Sequence, residues 1–332
     1  MKNYSIARMD GQEVLVIGGL GFMGSNLAHQ LVSLGAKVAI YDACLDPYGW
    51  NFASIKEIKD EVEVIVKDIR DFEALKTQVK RKDLIFSYAA QVSHIHSMRD
   101  PNLDIQVNCQ GNMNILEACR QVNPEVKIVY AGTRSQVGEA EYLPVDEKHP
   151  TNPPDIYSIN KLAAEKYYLL YTKVYGIPSV SFRVGNTYGP RQQVKHGDYG
   201  VLNYFMRRAM LDEPLTIYGS GEQIREYNYI DDVNDAFLLA AQSDEANGQF
   251  FGIGSGEPIT FIDMTKMVIK TVGKGELVHV PFPEDRKAID IEGFYVTSQK
   301  LNGVLGWHPV TSLEEGLHKT FAFYQERLNE YI

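Results

Sequence analysis

The chain has 332 residues, of which 44% are hydrophobic and 23% are charged, and its formal net charge at pH 7 is −10. These values are ordinary for a globular protein and exclude a disordered or fibrous chain. The acidic balance disfavours nonspecific binding to nucleic acid, because a polyanion is held by an excess of lysine and arginine.

Neither a membrane anchor nor a disulfide framework is expected. No apolar run reaches the roughly 18 residues that span a bilayer, and the N-terminus lacks the regions of a signal peptide. We therefore expect a cytoplasmic protein. The three cysteines, Cys44, Cys109 and Cys119, are too few and too scattered for a disulfide framework or a zinc site, so we expect reduced thiols and no metal.

The first part of the chain alternates short β-branched segments with longer amphipathic ones. The segments "EVLVIGG", "KVAIYD", "VEVIVKD", "LIFSYAA" and "VKIVYAG" each predict a strand that is buried on both faces. Between them, "MGSNLAHQLVSLG", "DFEALKTQVKR" and "VNCQGNMNILEACRQVN" carry apolar residues at helical spacing. Strands that alternate with helices predict βαβ units and a doubly wound parallel sheet.

A later strand, "SVSFRVGN", follows a tyrosine-rich helix, and the texture of the sequence changes after it. From Tyr188 onward, proline and glycine punctuate segments with mixed helix and strand signals. We expect residues 1–187 to form a Rossmann-type domain, to which residues 226–255 return. Residues 188–332 then form a smaller α/β substrate lobe over the carboxyl ends of the strands, where ligands of such sheets bind.

A glycine-rich turn joins the first predicted strand to the first helix. Gly18, Gly21 and Gly24 are spaced as GxxGxxG. Glycine is needed where a chain turns sharply and where its backbone approaches a pyrophosphate at a helix N-terminus. Asp42 ends the second strand, where a carboxylate accepts hydrogen bonds from a ribose diol and repels a 2′-phosphate. The pattern predicts a site for NAD rather than NADP.

The ends of the next two strands extend the predicted NAD site. Asp68 and Ile69 follow the third strand and suit the amino group and the ring face of adenine. The small residues Ala89 and Ala90, next to Gln91, end the fourth strand and allow a cofactor to pass close to the backbone.

The helix that begins with "YSINK" places Tyr157 and Lys161 on one face, four residues apart. A tyrosine with a pKa of about 10 is a poor base at neutral pH, and a nearby lysine favours the phenolate. Thr133 ends the fifth predicted strand and adds a hydroxyl. These three residues indicate a proton-transfer site beside the cofactor.

In order and spacing, these motifs resemble the extended short-chain dehydrogenase/reductase family, specifically its nucleotide-sugar epimerases and dehydratases. The resemblance covers nearly the whole chain and includes "AAQVSHIHSMRDPNLDIQVNCQGNMNILEA", "RVGNTYGPR", "GSGEQIREYNYIDDV" and "LGWHPVTSLEEGL". It implies that Tyr157 removes a sugar hydroxyl proton while hydride leaves the same carbon for NAD. Thr133 would hydrogen-bond that oxygen, and Lys161 would hold the ribose and lower the tyrosine pKa.

The resemblance also implies two sets of binding residues. The cofactor set is Gly18, Gly21, Phe22, Met23, Gly24, Asp42, Asp68, Ile69, Ala89, Ala90, Gln91, Asn108, Tyr157, Lys161 and Val184. The substrate set is Ser97, Thr133, Asn186, Val201, Leu202, Ile217, Arg225 and Arg286. In it, Asn186 and the two arginines would hold the diphosphate, and the three aliphatic residues would form the wall of the base pocket. A homodimer through two helices is also implied.

One departure from the family pattern bears on the reaction. In the 4,6-dehydratases an Asp and a Glu usually follow the catalytic Thr, whereas here the positions hold Arg134 and Ser135, which are poor groups for acid and base catalysis. Val137 stands where an aromatic residue is expected, and His94 and His96, near the sugar contacts of the family, are interpreted as structural. We therefore predict an NAD-dependent nucleotide-sugar epimerase, acting at C4 of a UDP-hexose.

Three alternatives stay open. The same cofactor could serve C2 epimerisation of a CDP-sugar, to which "AAQV" gives some weight. It could also serve decarboxylation, dehydration or ketone reduction of a nucleotide sugar. A noncatalytic, nucleotide-binding regulatory protein would keep the fold without the chemistry, although the set of Thr133, Tyr157 and Lys161 argues against it.

Overall fold

A seven-stranded parallel sheet forms the centre of the fold in the computed structural model, which describes residues 2–47, 49–282 and 293–332. Its strands are β1 (Glu13–Ile17), β2 (Lys37–Asp42), β3 (Val62–Val66), β4 (Leu84–Ser87), β5 (Lys127–Thr133), β6 (Ser179–Val184) and β11 (Phe250–Ile253). Their order across the sheet is β11, β6, β5, β4, β1, β2, β3. The strand order reverses between β1 and β4, which is where doubly wound sheets bind ligands. The predicted Rossmann-type fold is confirmed.

Eleven α-helices flank and extend this sheet within the described residues. They are α1 (Phe22–Ser33), α2 (Phe72–Val79), α3 (His94–Arg99), α4 (Pro101–Asp104), α5 (Asn112–Val122), α6 (Ile156–Tyr175), α7 (Val201–Met210), α8 (Ile230–Ala241), α9 (Phe261–Val272), α10 (Gln299–Leu305) and α11 (Leu313–Arg327). A π-helical stretch, Ile105–Gly111, joins α4 to α5, and single 3-10 segments occupy Phe52–Ile58, Arg134–Gln136, Gly197–Tyr199, Asp244–Ala246 and Leu328–Glu330.

Alternate residues of the central strands belong to two separate hydrophobic cores, one on each face of the sheet. Val14 and Val16 of β1 pack with the helices α1, α8 and α10, whereas Leu15 and Ile17 pack with α2, α5 and α6. All four side chains are fully buried. Burial of each such aliphatic side chain stabilises the fold by about 1.5–3 kcal/mol, so both faces must be covered by helices.

The observed burial of the edge strand β3 differs from the predicted burial. The strand was expected to be buried on both faces, but its five residues are half-buried or exposed, and Val66 is 54% exposed. Within the described residues the strand pairs with β2 alone, so it has a neighbouring strand on one side only. The prediction was wrong here because a β-branched run does not distinguish an edge strand from a central one.

Three two-stranded sheets form beyond β6. They are β7 (Asn186–Tyr188) with β10 (Tyr227–Tyr229), β8 (Leu215–Tyr218) with β13 (Leu277–Val280), and β9 (Ile224–Arg225) with β12 (Ile259–Thr260). The helices α7, α9 and α11 share one hydrophobic cluster with β7, β8, β10 and β12. Between β10 and β12 the chain returns to the main sheet, because α8 packs on this sheet and β11 pairs with β6. The domain boundary between residues 187 and 188 stays a prediction.

Two features are absent from the described part of the chain. None of its helices has both the length and the apolar character needed to cross a bilayer. It also has no group of three His, Cys, Asp or Glu side chains placed to hold a metal ion.

Candidate active site

A cavity of about 520 Å³ opens at the carboxyl ends of the parallel strands, which is the size of a small-molecule site. All of the predicted cofactor residues line it except Asn108. Of the predicted substrate residues, Thr133, Asn186, Val201 and Leu202 line it. The fold therefore brings the two sets together around one space, with the cofactor set at the glycine loop and the substrate set toward α7.

The other predicted residues lie outside the cavity wall. Asn108 and Ser97 are fully buried, and the Ser97 hydroxyl donates to a backbone carbonyl of α3 at 2.7 Å. Ile217 is fully buried in β8, and Arg225 is half-buried, with Nη1 donating to the carbonyl of its own neighbour at 2.9 Å. Arg286 lies outside the described residues.

The glycine loop fits a bound pyrophosphate closely. Gly18 has φ +79°, and a Cβ placed on it would lie 2.7 Å from the backbone nitrogen of Ala89. A Cβ on Gly24 would collide with the carbonyl oxygen of Gly18. Gly21 is the N-cap of α1. The unbonded backbone amides of the first helical turn therefore point out of the helix N-terminus, where a pyrophosphate would bind. The residues present thus suit the dinucleotide that the spacing predicts.

Two carboxylates stand at the nucleoside end of the cavity. Asp42 accepts hydrogen bonds from the backbone nitrogens of Leu20 (3.0 Å) and Cys44 (2.9 Å), and burial raises its pKa. These bonds hold the carboxylate at the tip of β2 and leave acceptor positions for a ribose diol. Burial also raises the pKa of Asp68, but its hydrogen bonds with Arg70 outweigh that effect and leave the pKa below the ordinary value.

Thr133, Tyr157 and Lys161 form the wall of the cavity beyond the glycine loop. Thr133 ends β5, whereas the other two lie in the first turns of α6, which begins where the side chain of Asp155 accepts a hydrogen bond from the amide of Ser158 at 2.8 Å. The Lys161 ammonium donates to a backbone carbonyl of β5 at 2.6 Å. A helix cap and a strand end therefore fix the positions of the catalytic candidates.

The pKa of Tyr157 differs from the expectation drawn from its lysine neighbour. Burial raises this pKa above its ordinary value, and the hydrogen bond with Thr133 and the charge of Arg134 oppose the shift only in part. Burial also lowers the pKa of Lys161 to about 7, against a weaker opposing effect of Asp104. Because Lys161 is only partly charged near neutral pH, it does not lower the tyrosine pKa as expected.

A buried polar network, which the sequence analysis missed, lies behind the cavity wall formed by Thr133, Tyr157 and Lys161. The fully buried carboxylate of Asp104 accepts hydrogen bonds from the amide groups of Gln91 (2.8 Å), Asn108 (3.0 Å) and Asn160 (2.8 Å). Burial raises its pKa, and the three amides and the charge of Lys161 lower it in part. The network connects the segment that follows β4 with α4, the π-helical stretch and α6. Its one signal in the sequence is the spacing of Asp104 and Asn108, which are four residues apart and so lie on one face of a helix.

His94 stands at the mouth of the cavity, next to the tyrosine. Its Nδ1 lies 2.6 Å from a carboxylate oxygen of Asp155, and its ring centre lies 4.9 Å from that of Tyr157, edge to face. Burial raises the pKa of Asp155, but the bond to His94 outweighs it and leaves the pKa below its ordinary value. These contacts agree with the structural interpretation of His94, because they brace the N-terminus of α6.

Replacing Lys161 with Met is expected to change how stability depends on pH. Folding lowers the lysine pKa from 10.5 to about 7, so the folded state disfavours the cation. This penalty is complete below pH 7 and disappears as the pH rises toward 10.5. Relative to the variant, the free energy of unfolding of the wild type should therefore increase with pH. Urea unfolding of NAD-free protein at about pH 6 and about pH 9 measures this change, and a constant difference would contradict it.

Comparison with known proteins adds to this geometry. A sequence profile described as the NAD dependent epimerase/dehydratase family matches residues 14–254. This range includes the glycine loop and the candidates Thr133, Tyr157 and Lys161. The putative UDP-glucose 4-epimerase of Methanocaldococcus jannaschii is 31% identical over 309 residues, which are 92% of this chain and 96% of that protein.

Two further proteins show the same extent of similarity. The UDP-N-acetyl-alpha-D-glucosaminuronate decarboxylase of Bacillus cytotoxicus is 30% identical over 327 residues, covering 95% of this chain and 98% of that protein. The solved structure of the UDP-glucose 4-epimerase of Thermus thermophilus, in complex with NAD, has a TM-score of 0.84 at 32% identity, covering 95% of this chain and 99% of that one. The similarity thus spans the whole fold.

Proposed function

The chain belongs to the NAD dependent epimerase/dehydratase family, and we propose that it is a nucleotide-sugar epimerase that inverts C4 of a UDP-hexose. The observation that carries this proposal is the position of Thr133, Tyr157 and Lys161. These residues line the same cavity as the glycine loop, so a sugar hydroxyl placed against them lies next to the nicotinamide end of the dinucleotide.

In this mechanism the protein handles a proton and holds the reacting oxygen. A dinucleotide held at the glycine loop and Asp42 would supply the acceptor and donor of hydride for C4. Tyr157 takes the proton of the 4-hydroxyl, and the hydroxyl of Thr133 hydrogen-bonds the same oxygen. Lys161 Nζ, held against a carbonyl of β5, lies one helical turn from Tyr157, and only the protonated fraction of this lysine would stabilise the phenolate when the tyrosine is deprotonated. Inversion follows when the ketone turns in the cavity and the hydride returns to its other face.

Arg134 and Ser135 favour epimerisation over dehydration. Loss of water from the sugar needs an acid for the leaving hydroxyl and a base for a carbon-bound proton. The Ser135 hydroxyl lies 3.1 Å from the Thr133 hydroxyl, so its neighbour there is another hydroxyl rather than a base, and an arginine stays protonated at neutral pH. Epimerisation needs neither group, because one hydride leaves and returns.

The choice of a UDP-sugar is supported by the relatives rather than by direct contacts. The Methanocaldococcus jannaschii and Thermus thermophilus proteins are both described as acting on UDP-glucose. We place the diphosphate near Asn186 and the uracil against Val201 and Leu202, which line the cavity. Asn186 already donates to the carbonyl of Glu226 at 3.1 Å, which leaves its second amide hydrogen and its oxygen for the ligand.

A labelling experiment tests the proposed reaction. The protein is incubated with catalytic NAD and a set of UDP-hexoses, including UDP-glucose, in deuterated water, and the sugar protons are followed by NMR. A C4 epimer without deuterium at C4 is expected, because hydride leaves and returns inside one site. A 4-keto-6-deoxy product with deuterium at C5 would instead show dehydration and would overturn the argument from Arg134 and Ser135.

We also propose a homodimer formed through α5 and α6. The outer face of α6 exposes Ile159, Leu170 and Val174, each 49–57% exposed. These three positions lie within about 60° of one another around a helix and form one stripe along it. Changing Leu170 and Val174 together to Glu is expected to give a monomer, because four charges would face each other in the pair. Sedimentation velocity measures the state, with Leu211→Glu as a control at an exposed leucine after α7. A wild-type monomer would contradict the proposal.

A further inference from the structure

Arg134 occupies an unusual place for a cation. It follows Thr133 directly and begins a single 3-10 turn, and its side chain lines the cavity together with Tyr157. Its guanidinium carbon lies 5.0 Å from the centre of the Phe294 ring. The Phe294 ring lines a smaller adjacent cavity that Arg134 also lines, so the guanidinium stands between the two cavities, with the aromatic ring on one side and Tyr157 and Tyr227 close enough to interact with its charge.

The described residues do not neutralise this cation. Nη1 of Arg134 is buried and has no hydrogen-bond partner among the residues that the structure describes. Glu226 acts on it electrostatically, but its two oxygens accept the backbone amides of Val296 (2.7 Å) and Ser255 (3.0 Å). Burial also raises the pKa of Glu226 to about 7. Since burial lowers the pKa of Arg134 only to about 10, the guanidinium stays positive at neutral pH.

Tyr227 adds a second unused donor to the same space. It lines the cavity, and its buried hydroxyl has no hydrogen-bond partner in the described part of the chain. Burial raises its pKa, and the charges of Arg225 and Arg134 oppose that shift only in part, so the phenol stays protonated and can donate. A buried donor without a partner is costly, and two such donors in one cavity indicate a ligand group rich in acceptors.

We infer that the sugar of the substrate carries a carboxylate, which Arg134 binds with help from the hydroxyl of Tyr227. A carboxylate offers two oxygens to a guanidinium and compensates its charge. The inference rests on the proposed function, because the place of Arg134 next to Thr133 puts it at the sugar rather than at the diphosphate only if Thr133 faces the reacting carbon. The carboxylate is either C6 of a hexuronic acid or part of a substituent on the ring.

Matched pairs of substrates separate these sources. UDP-glucuronic acid is compared with UDP-glucose for a ring carboxylate, and UDP-N-acetylmuramic acid with UDP-N-acetylglucosamine for a substituent carboxylate. For each pair, kcat/KM is measured for loss of the starting sugar, and the ratio of the acidic to the neutral member is taken. We expect this ratio to exceed about 100 for one pair, because the neutral member leaves the buried donors without partners.

Variants then assign the preference to the two residues. Arg134→Gln should lower the ratio by about 100-fold, the range expected when one partner of a buried charged hydrogen bond is removed. Arg134→Lys should recover part of this ratio, since lysine restores the positive charge but not the bidentate hydrogen-bond geometry of arginine. Tyr227→Phe should lower the ratio by about 5- to 10-fold. Arg8→Gln, which removes a guanidinium paired with Asp10 on the surface, should leave the ratio unchanged.

The outcomes distinguish the inference from the function on which it rests. Neutral sugars that turn over as well as their acidic partners would overturn the inference and leave the epimerase standing. Equal losses of kcat/KM for both members of a pair in Arg134→Gln would also overturn it, because Arg134 would then hold the diphosphate that they share. If no nucleotide sugar turns over in a way that depends on Tyr157, the proposed function fails, and the inference falls with it.

Discussion

Replacing Tyr157 with Phe is expected to lower kcat by about 10²- to 10⁴-fold, the usual contribution of a positioned acid–base group. The phenol is the group that takes the sugar proton in the proposed mechanism, and the change removes one oxygen while keeping the ring that packs against His94. The measurement is turnover of the sugar that the NMR experiment identifies. NAD affinity, measured by calorimetry, should change by less than about threefold, because Tyr157 is one of many residues along the cofactor.

Two comparisons make this result specific. Tyr142→Phe removes a phenol that is 44% exposed and bonded to Asp146, and it should leave kcat unchanged. The pH profile of kcat in the wild type should lose activity on the acidic side, since the proton acceptor must be deprotonated. Activity of Tyr157→Phe close to that of the wild type would exclude the phenol as the proton acceptor.

Replacing Gly24 with Ala is expected to weaken NAD binding by about 10- to 100-fold, which corresponds to the ~1–3 kcal/mol cost of an overpacked site. A Cβ at this position collides with the carbonyl oxygen of Gly18 and lies close to the Cα of Gly19. The loop must open to accept it, which moves the amides of the helix N-terminus away from the pyrophosphate. Titration calorimetry with NAD measures the loss.

The matched control is Gly303→Ala. Gly303 is exposed in α10, and a Cβ there meets no atom within 4 Å. This change should leave NAD affinity unchanged and raise stability by about 0.5–1 kcal/mol, because alanine favours the helix over glycine. NAD affinity of Gly24→Ala equal to that of the wild type would show that the loop has more room than the structure describes.

Much of the site was predictable because its residues lie at the ends of predicted strands and helices. Gly18, Asp42 and Asp68 each follow a short β-branched run, and parallel strands direct their carboxyl ends to one edge of the sheet. Their meeting in one cavity therefore follows from the local pattern alone. The same reasoning overestimated the burial of β3, because periodicity reports hydrophobicity and not the number of neighbouring strands.

The electrostatics of the site were not predictable in the same way. The spacing of Tyr157 and Lys161 suggested a lysine that lowers the tyrosine pKa. Burial instead raises the pKa of Tyr157 and lowers the pKa of Lys161. The desolvation of a group depends on everything packed around it, which includes β5 and the Asp104 network. A helical wheel contains none of this information.

The sequence by itself determined the class of fold and the dinucleotide fingerprint, and it supplied the candidates for proton transfer, since these depend on spacing within single segments. The tertiary structure alone decided which polar groups find partners. Asp104 accepts hydrogen bonds from Gln91 and Asn160, which come from two other segments, whereas Arg134 and Tyr227 each keep a buried donor without a partner among the residues that the structure describes. Hydrogen-bond satisfaction is a property of side chains from distant segments packed together, and for that reason the sugar that this site selects is encoded in the assembled cavity.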